Sequence, residues 1–396
     1  MRMKFSEDQN VNYFFSQPHQ PFFVLAFVNA IVTMTVFLLA YKGYLFLSMS
    51  PENFHFYGLT YLMFTPAFLG FLFTTFPKFT STEAIAKKKY IHIFTILYFG
   101  AILFLLGGIV SPFLSAIALL LVFYAHFRGF IILKDMYTDT TIEDKHDIFW
   151  ILISMGFGII SHFLFIVAQI FYMPLMGLAS EISMYLYLFL LTFSVAQRMV
   201  PFFSHCMIEK NKMFLKTVFL LLSFHIVLEA IYINSSFPVD FALAYVIGKE
   251  LLRWELPFPN PNPLLWILHI SLYWVPVAFF LGGFTNFISL MTDIHFLALD
   301  THTLILGFVF TILIGFGTRV TLGHSGNIMQ ADKWTRLLFY WTQVVVAMRI
   351  LVSLVAAFEW NIMVLFDISV TVWLLMFIMW AVRFFRVLID GKKLTP

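Results

Sequence analysis

The chain alternates long apolar runs with short polar connections. Runs of about 18 or more residues with few charges are membrane-spanning candidates. Twelve can be traced, over residues 22–47, 57–76, 90–109, 111–133, 148–170, 181–200, 214–233, 238–252, 263–288, 298–318, 335–357 and 361–387. The eighth is short and ends in Gly248-Lys249-Glu250, and the Pro-rich stretch from Pro257 to Pro263 separates it from the ninth. No soluble domain or low-complexity segment interrupts the series, so residues 1–396 are expected to form a single integral membrane domain. The first twenty residues are polar and mixed in charge, and the first apolar run is too long for a signal-peptide core. It therefore reads as a retained first helix. The predicted fold is an all-α polytopic membrane bundle of about twelve transmembrane helices.

Charge sets the expected orientation. The connections after predicted helices 2, 4, 6, 8 and 10 are rich in Lys and Arg, and the termini add Arg2, Lys4, Arg383, Arg386, Lys392 and Lys393. The odd-numbered connections hold only Lys42, and Arg349 is the one cation inside a helix, so 22 of 24 Lys and Arg fall on one side. The positive-inside rule then predicts both termini in the cytoplasm. Glu52, Glu181, Asp240, Asp293, Asp300 and Glu359 fall at or near the opposite helix ends, as a solvated anionic rim or a cation-attracting vestibule.

Composition agrees with a lipid environment. Hydrophobic residues make up 61% of the chain and charged ones 11%, against about 25% charged in soluble domains. A net charge of +3, carried between the apolar runs, gives no reason to expect nucleic acid as a partner. The one cysteine, Cys206, excludes an intramolecular disulfide and a Cys-x-x-Cys-His haem attachment. Any haem would be non-covalent, and any metal would rely on His, Met or carboxylate ligands.

Three stretches carry a family resemblance. Predicted helix 10 holds His302-Thr303-Leu304, Gly307, and Thr318-Arg319-Val320-Thr321-Leu322-Gly323-His324-Ser325-Gly326. Predicted helix 2 closes with Gly70-Phe71-Leu72-Phe73-Thr74-Thr75-Phe76-Pro77-Lys78-Phe79-Thr80, and predicted helix 6 with Arg198-Met199-Val200-Pro201-Phe202-Phe203. With weaker matches at Pro21-Phe22-Phe23 and Pro263 to His269, these resemble the NnrS family, in the expected order over almost the whole chain. NnrS proteins are bacterial membrane proteins that carry haem and copper and take part in responses to nitric oxide. The resemblance implies a multi-pass protein of the bacterial cytoplasmic (inner) membrane acting in nitric oxide metabolism or nitrosative-stress resistance. Its cofactors would be b-type haem and copper, and its ligand nitric oxide or a metal–nitrosyl species. One departure stands out: where the family usually reads His-Ala-His-Glu, this chain has His55, Phe56, Tyr57 and Gly58.

Ionisable groups inside a bilayer are expensive and are functional candidates. His55, before predicted helix 2, and His302, about four residues or roughly 6 Å into predicted helix 10, can share one depth and form a bis-His haem site. The alternative for each is a core imidazole bonded to a backbone carbonyl. The topology is similar to haem-copper oxidases, whose twelve helices form three arcs of four with haem ligands on helices 2 and 10. Gly307 and Gly315 lie close to one face, for helix packing or for a flat macrocycle. Arg349 can pair with Asp367 or neutralise haem propionates. His225 and Glu229, four apart, share a helix face as a copper ligand with a proton-handling carboxylate that Tyr185 and Tyr187 can join, or as a structural hydrogen bond. Arg319 and His324 can bind an anion or lipid headgroup, or cap the helix. Two other functions stay open: a twelve-helix secondary transporter, and an assembly factor for a respiratory complex. The sequence does not decide whether the protein is an enzyme, nor its oligomeric state.

Overall fold

The computed structural model describes residues 12–206 and 208–394, so Arg2, Lys4 and the terminal Pro396 lie outside the described residues. Among the described residues there are helices and no strand. In order they are α1 His19–Tyr41, α2 Pro51–Thr80, α3 Lys87–Val110, α4 Pro112–Asp139, α5 His146–Ile170, α6 Met173–Phe203, α7 Phe214–Ile231, α8 Phe237–Arg253, α9 Pro263–Met291, α10 Leu299–His324, α11 Lys333–Ala357 and α12 Met363–Asp390. All but α8 are long and apolar enough to cross a membrane. The 17 residues of α8 reach about 26 Å, slightly short of a hydrocarbon core of about 30 Å.

Local capping explains where the helices depart from the apolar runs. Ser50 accepts a hydrogen bond from the Asn53 amide (3.2 Å) and Pro51 fits the first turn, so α2 begins six residues before the expected 57. His55 is therefore inside α2 rather than ahead of it. Asn262 caps the Leu264 amide at 3.0 Å to start α9, and Asp332 caps the Thr335 amide at 2.8 Å to start α11. α1 stops at Tyr41 rather than 47, where the chain turns through Gly43 at a φ of 76°. α10 runs on to His324, beyond the expected 318.

Three helices form the interior. The apolar stretches of α2, α6 and α10 are 94%, 72% and 83% buried, against 33–56% for the other spans. Aromatic rings join them pairwise: Phe71 to Phe316 (5.7 Å), Phe68 to Tyr187 (6.0 Å) and Phe189 to Phe308 (5.7 Å). The other nine helices pack around these three, and α12 closes on α1 where Trp380 stacks on Phe27 at 4.0 Å. The chain thus repeats one order three times: outer, inner, outer, outer. Each inner helix also holds a π-helical segment, at Gly58–Phe64, Ile182–Phe189 and Thr303–Phe310. Such segments add a residue to the turn and are frequent at functional sites.

Candidate functional site

The residues immediately before the three π segments are Tyr57, Glu181 and His302. They lie at the acidic end of the bundle, opposite the Lys-rich connections. Each anchors a polar cluster.

His302 is the fourth residue of α10. Its backbone amide and its ring Nδ1 both approach the Ala298 carbonyl, at 3.1 and 2.8 Å. Leu297 and Ala298 are consecutive left-handed residues, with φ of 47° and 51°, and this turns their carbonyls toward the site. The Leu297 carbonyl accepts from Arg349 Nη2 at 2.8 Å, and Arg349 also bonds Ser353 Oγ. Arg349 Nη2 stands 3.1 Å from His302 Nδ1. The shorter Ala298 contact assigns the Nδ1 proton to that carbonyl and leaves Nε2 with its lone pair. His55 packs its ring on Phe37 at 4.4 Å, and its buried Nδ1 has no hydrogen-bond partner among the described residues. His55, His302 and Arg349 are near enough to act on one another electrostatically.

Two expectations are corrected here. Arg349 does not pair with Asp367, which bonds Lys42 at 2.7 Å beyond the end of α1. The Gly307 face is not open to a macrocycle. A Cβ at Gly307 would lie 2.7 Å from Trp274, and one at Gly315 would lie 2.8 Å from Leu268, so both glycines serve the close approach of α9.

The second cluster opens on a cavity of about 340 Å³ next to Leu297 and Ala298. His225 Nδ1 lies 2.6 Å from Asp240, which also accepts from Ser236 (3.0 Å) and Asn286 (3.1 Å) and is buried. On its other side His225 Nε2 faces Glu181 Oε2 at 3.4 Å, with no other partner for that oxygen among the described residues. With Nδ1–H donated to Asp240, the Nε2 lone pair and the Glu181 carboxylate face each other across that gap, an arrangement that a proton or a cation between them would relieve. Tyr185 packs on His225 at 4.3 Å and reaches Asp300 at 3.5 Å. Glu229 is not the partner of His225. It caps the Asn234 and Ser236 amides at 2.9 and 3.1 Å.

The third cluster is enclosed. Tyr57 Oη is 3.0 Å from His162 Nε2, and His162 Nδ1 is 3.3 Å from His126 Nδ1. Tyr61 stacks on His162 at 3.8 Å, and His126 Nε2 has no partner among the described residues. Tyr187 joins this cluster rather than His225: its hydroxyl bonds Thr65 at 2.9 Å and its ring lies 5.4 Å from His126. Among the described residues, no three His, Cys, Asp or Glu side chains converge as a metal cage.

The NnrS protein family model matches residues 13–392. The chain belongs to the NnrS family. No curated protein matches it. The NnrS signatures close the three inner helices, at the basic end of the bundle. His324 is 22 residues from His302, about 33 Å along α10, so Arg319 and His324 do not share a site with His302. Arg319 lies over the Phe203 ring at 4.1 Å. His324 makes no capping bond through its buried Nδ1 and packs beside His19 at 5.1 Å, while Lys393 bonds the Ser325 carbonyl past the end of α10. The NnrS departure at Tyr57 also gains a location, since that side chain enters the His126–His162 cluster.

His126 and His162 are not singled out as site residues by sequence, and Asp240 and Glu181 enter there only as members of the acidic rim. Position relative to the π segment is the signal that finds Glu181, and nothing in composition marks a π segment. Asp240 is an acid in the first turn of α8, which reads as ordinary helix-end charge.

Proposed function

We propose that the protein is a haem- and copper-containing NnrS-family protein of the bacterial cytoplasmic membrane, with both termini in the cytoplasm, acting in nitric oxide metabolism or nitrosative-stress resistance. The observation that carries the haem assignment is the His302 arrangement. A metal-ligating imidazole typically donates its other N–H to a carbonyl or carboxylate, and His302 does this to Ala298. The Nδ1 of His55, unpartnered among the described residues, would offer the haem a second imidazole. Arg349 has no carboxylate partner among the described residues and fits a propionate.

When bound, haem would supply one-electron transfer, and its iron would take nitric oxide only in place of one of the two histidines. The chain's own residues have the remaining tasks. Ala298 fixes the tautomer and orientation of His302. Arg349, tied to Leu297 and Ser353, brings positive charge to that end of α10. For copper, His225 and Glu181 fit best, with Asp240 behind the imidazole in the place a carboxylate takes behind a metal-bound histidine. The cavity beside them opens toward the acidic end and gives a proton or small ligand a polar approach.

Purification followed by absorption spectroscopy and metal analysis tests this reading. A Soret band with reducible α and β bands that shift on adding nitric oxide is the expected result. A colourless, metal-free protein would replace it with a transporter or an assembly factor.

A further inference from the structure

The three inner helices line a cavity of about 30 Å³ where they meet. Phe71 and Leu72 of α2, Leu191 and Val195 of α6, and Ile312 and Leu313 of α10 line it, and all are buried. Its origin is local. The π segment of α2 ends at Phe64, that of α6 at Phe189 and that of α10 at Phe310, so the cavity starts within about a turn of all three. The cavity thus lies directly beside the ends of the three π segments.

The walls decide what it can hold. Thr192 is the only hydroxyl among the lining residues, and no charged group lines the cavity. A buried water needs two to four polar partners, and apolar cavities stay dry and accept apolar guests. The space exceeds what one water needs and takes a guest no larger than a few heavy atoms. Val309 on its wall is seven residues beyond His302, roughly 10 Å along α10. The surrounding bilayer is a reservoir for small uncharged apolar gases and excludes ions.

We propose that this cavity binds a small apolar diatomic gas, nitric oxide in this protein, close below the His302 site. The choice of nitric oxide rests on the function proposed above, whereas the gas site stands on the cavity alone. Xenon-pressurised crystals of the purified protein test the site. One xenon atom among α2, α6 and α10 is expected. Ordered water there, or no xenon, overturns the proposal. Val195→Phe should abolish that xenon, and xenon persisting in this variant would also overturn it. Should Val195→Phe fail to fold, Leu313→Ala enlarges the same cavity and must raise the xenon occupancy; unchanged occupancy counts against the site. Flash photolysis of nitric oxide from the reduced haem tests the occupant. Val195→Phe should change the fraction that rebinds before escape by about twofold, and an unchanged fraction overturns nitric oxide as the guest. A protein that binds xenon but no haem would leave the gas site standing and remove the function proposed above.

Discussion

Replacing Asp240 with Ala should be among the most damaging single changes at the acidic end. The carboxylate is 1% exposed. It accepts from His225 Nδ1 at 2.6 Å, Ser236 Oγ at 3.0 Å and Asn286 Nδ2 at 3.1 Å. Removing it strands three donors. A buried unsatisfied donor costs about 1–3 kcal/mol, and breaking a buried charged pair costs about 3–5 kcal/mol. The three losses share one network and do not add, so about 3–5 kcal/mol is the working figure. One kcal/mol moves Tm by roughly 2–4 °C in domains of 150–250 residues and by less in a longer chain, so a fall of about 3–8 °C is expected. The assay is thermal unfolding of purified protein in one detergent at one scan rate. Asp240→Asn keeps the shape and one acceptor oxygen and should lose about half as much. Asp293→Ala, at an exposed position, should change nothing. A fall below 1 °C for Asp240→Ala would mean that water from the adjoining cavity replaces the carboxylate, and that burial does not isolate the network.

Arg349→Leu removes a half-buried cation that has no carboxylate partner among the described residues, and with it the bonds to the Leu297 carbonyl and Ser353, so stability should fall by about 1.5–3 kcal/mol while haem content falls; full haem retention would remove Arg349 from the site. Ala298→Gly relieves a left-handed residue at a φ of 51° and should stabilise by about 0.5–1 kcal/mol; a loss of more than that would show that the methyl group packs. Burial first, and then the Glu255 carboxylate, raise the Cys206 thiol above its usual value near 9.0. The reactive thiolate is therefore scarce at neutral pH, and labelling by a membrane-impermeant maleimide should be slow at pH 7 and quicken toward pH 9. It should occur from the cytoplasmic face, in inverted vesicles and not in intact spheroplasts; labelling in spheroplasts would reverse the orientation.

Much of the architecture was legible because lipid demands long apolar runs. The twelve runs, the charge asymmetry and the depth of His302 on α10 follow from hydropathy and counting. Helix starts were less legible, because the Ser50-Pro51 cap is polar and hydropathy discards it, which left His55 outside its helix. The pairing of Asp367 with Lys42 rather than Arg349 depends on which faces of α12 and α1 meet, and spacing along one helix does not contain that. The His225–Glu229 spacing suggested a pair, yet Glu229 turned to the backbone amides of the next turn and left His225 to residues on α6 and α8. Tyr57, Glu181 and His302 share no residue type, so their equivalence is visible only once the three π segments are seen side by side.

The central claim is that His302 holds haem iron at the acidic end of α10. The reduced-minus-oxidised absorption spectrum of purified His302→Ala, beside wild type and His324→Ala, tests it most directly. The account predicts that His302→Ala loses the haem bands or shifts them to those of a five-coordinate iron, while His324→Ala, at the other end of the same helix, keeps the wild-type spectrum. A wild-type spectrum in His302→Ala would contradict it.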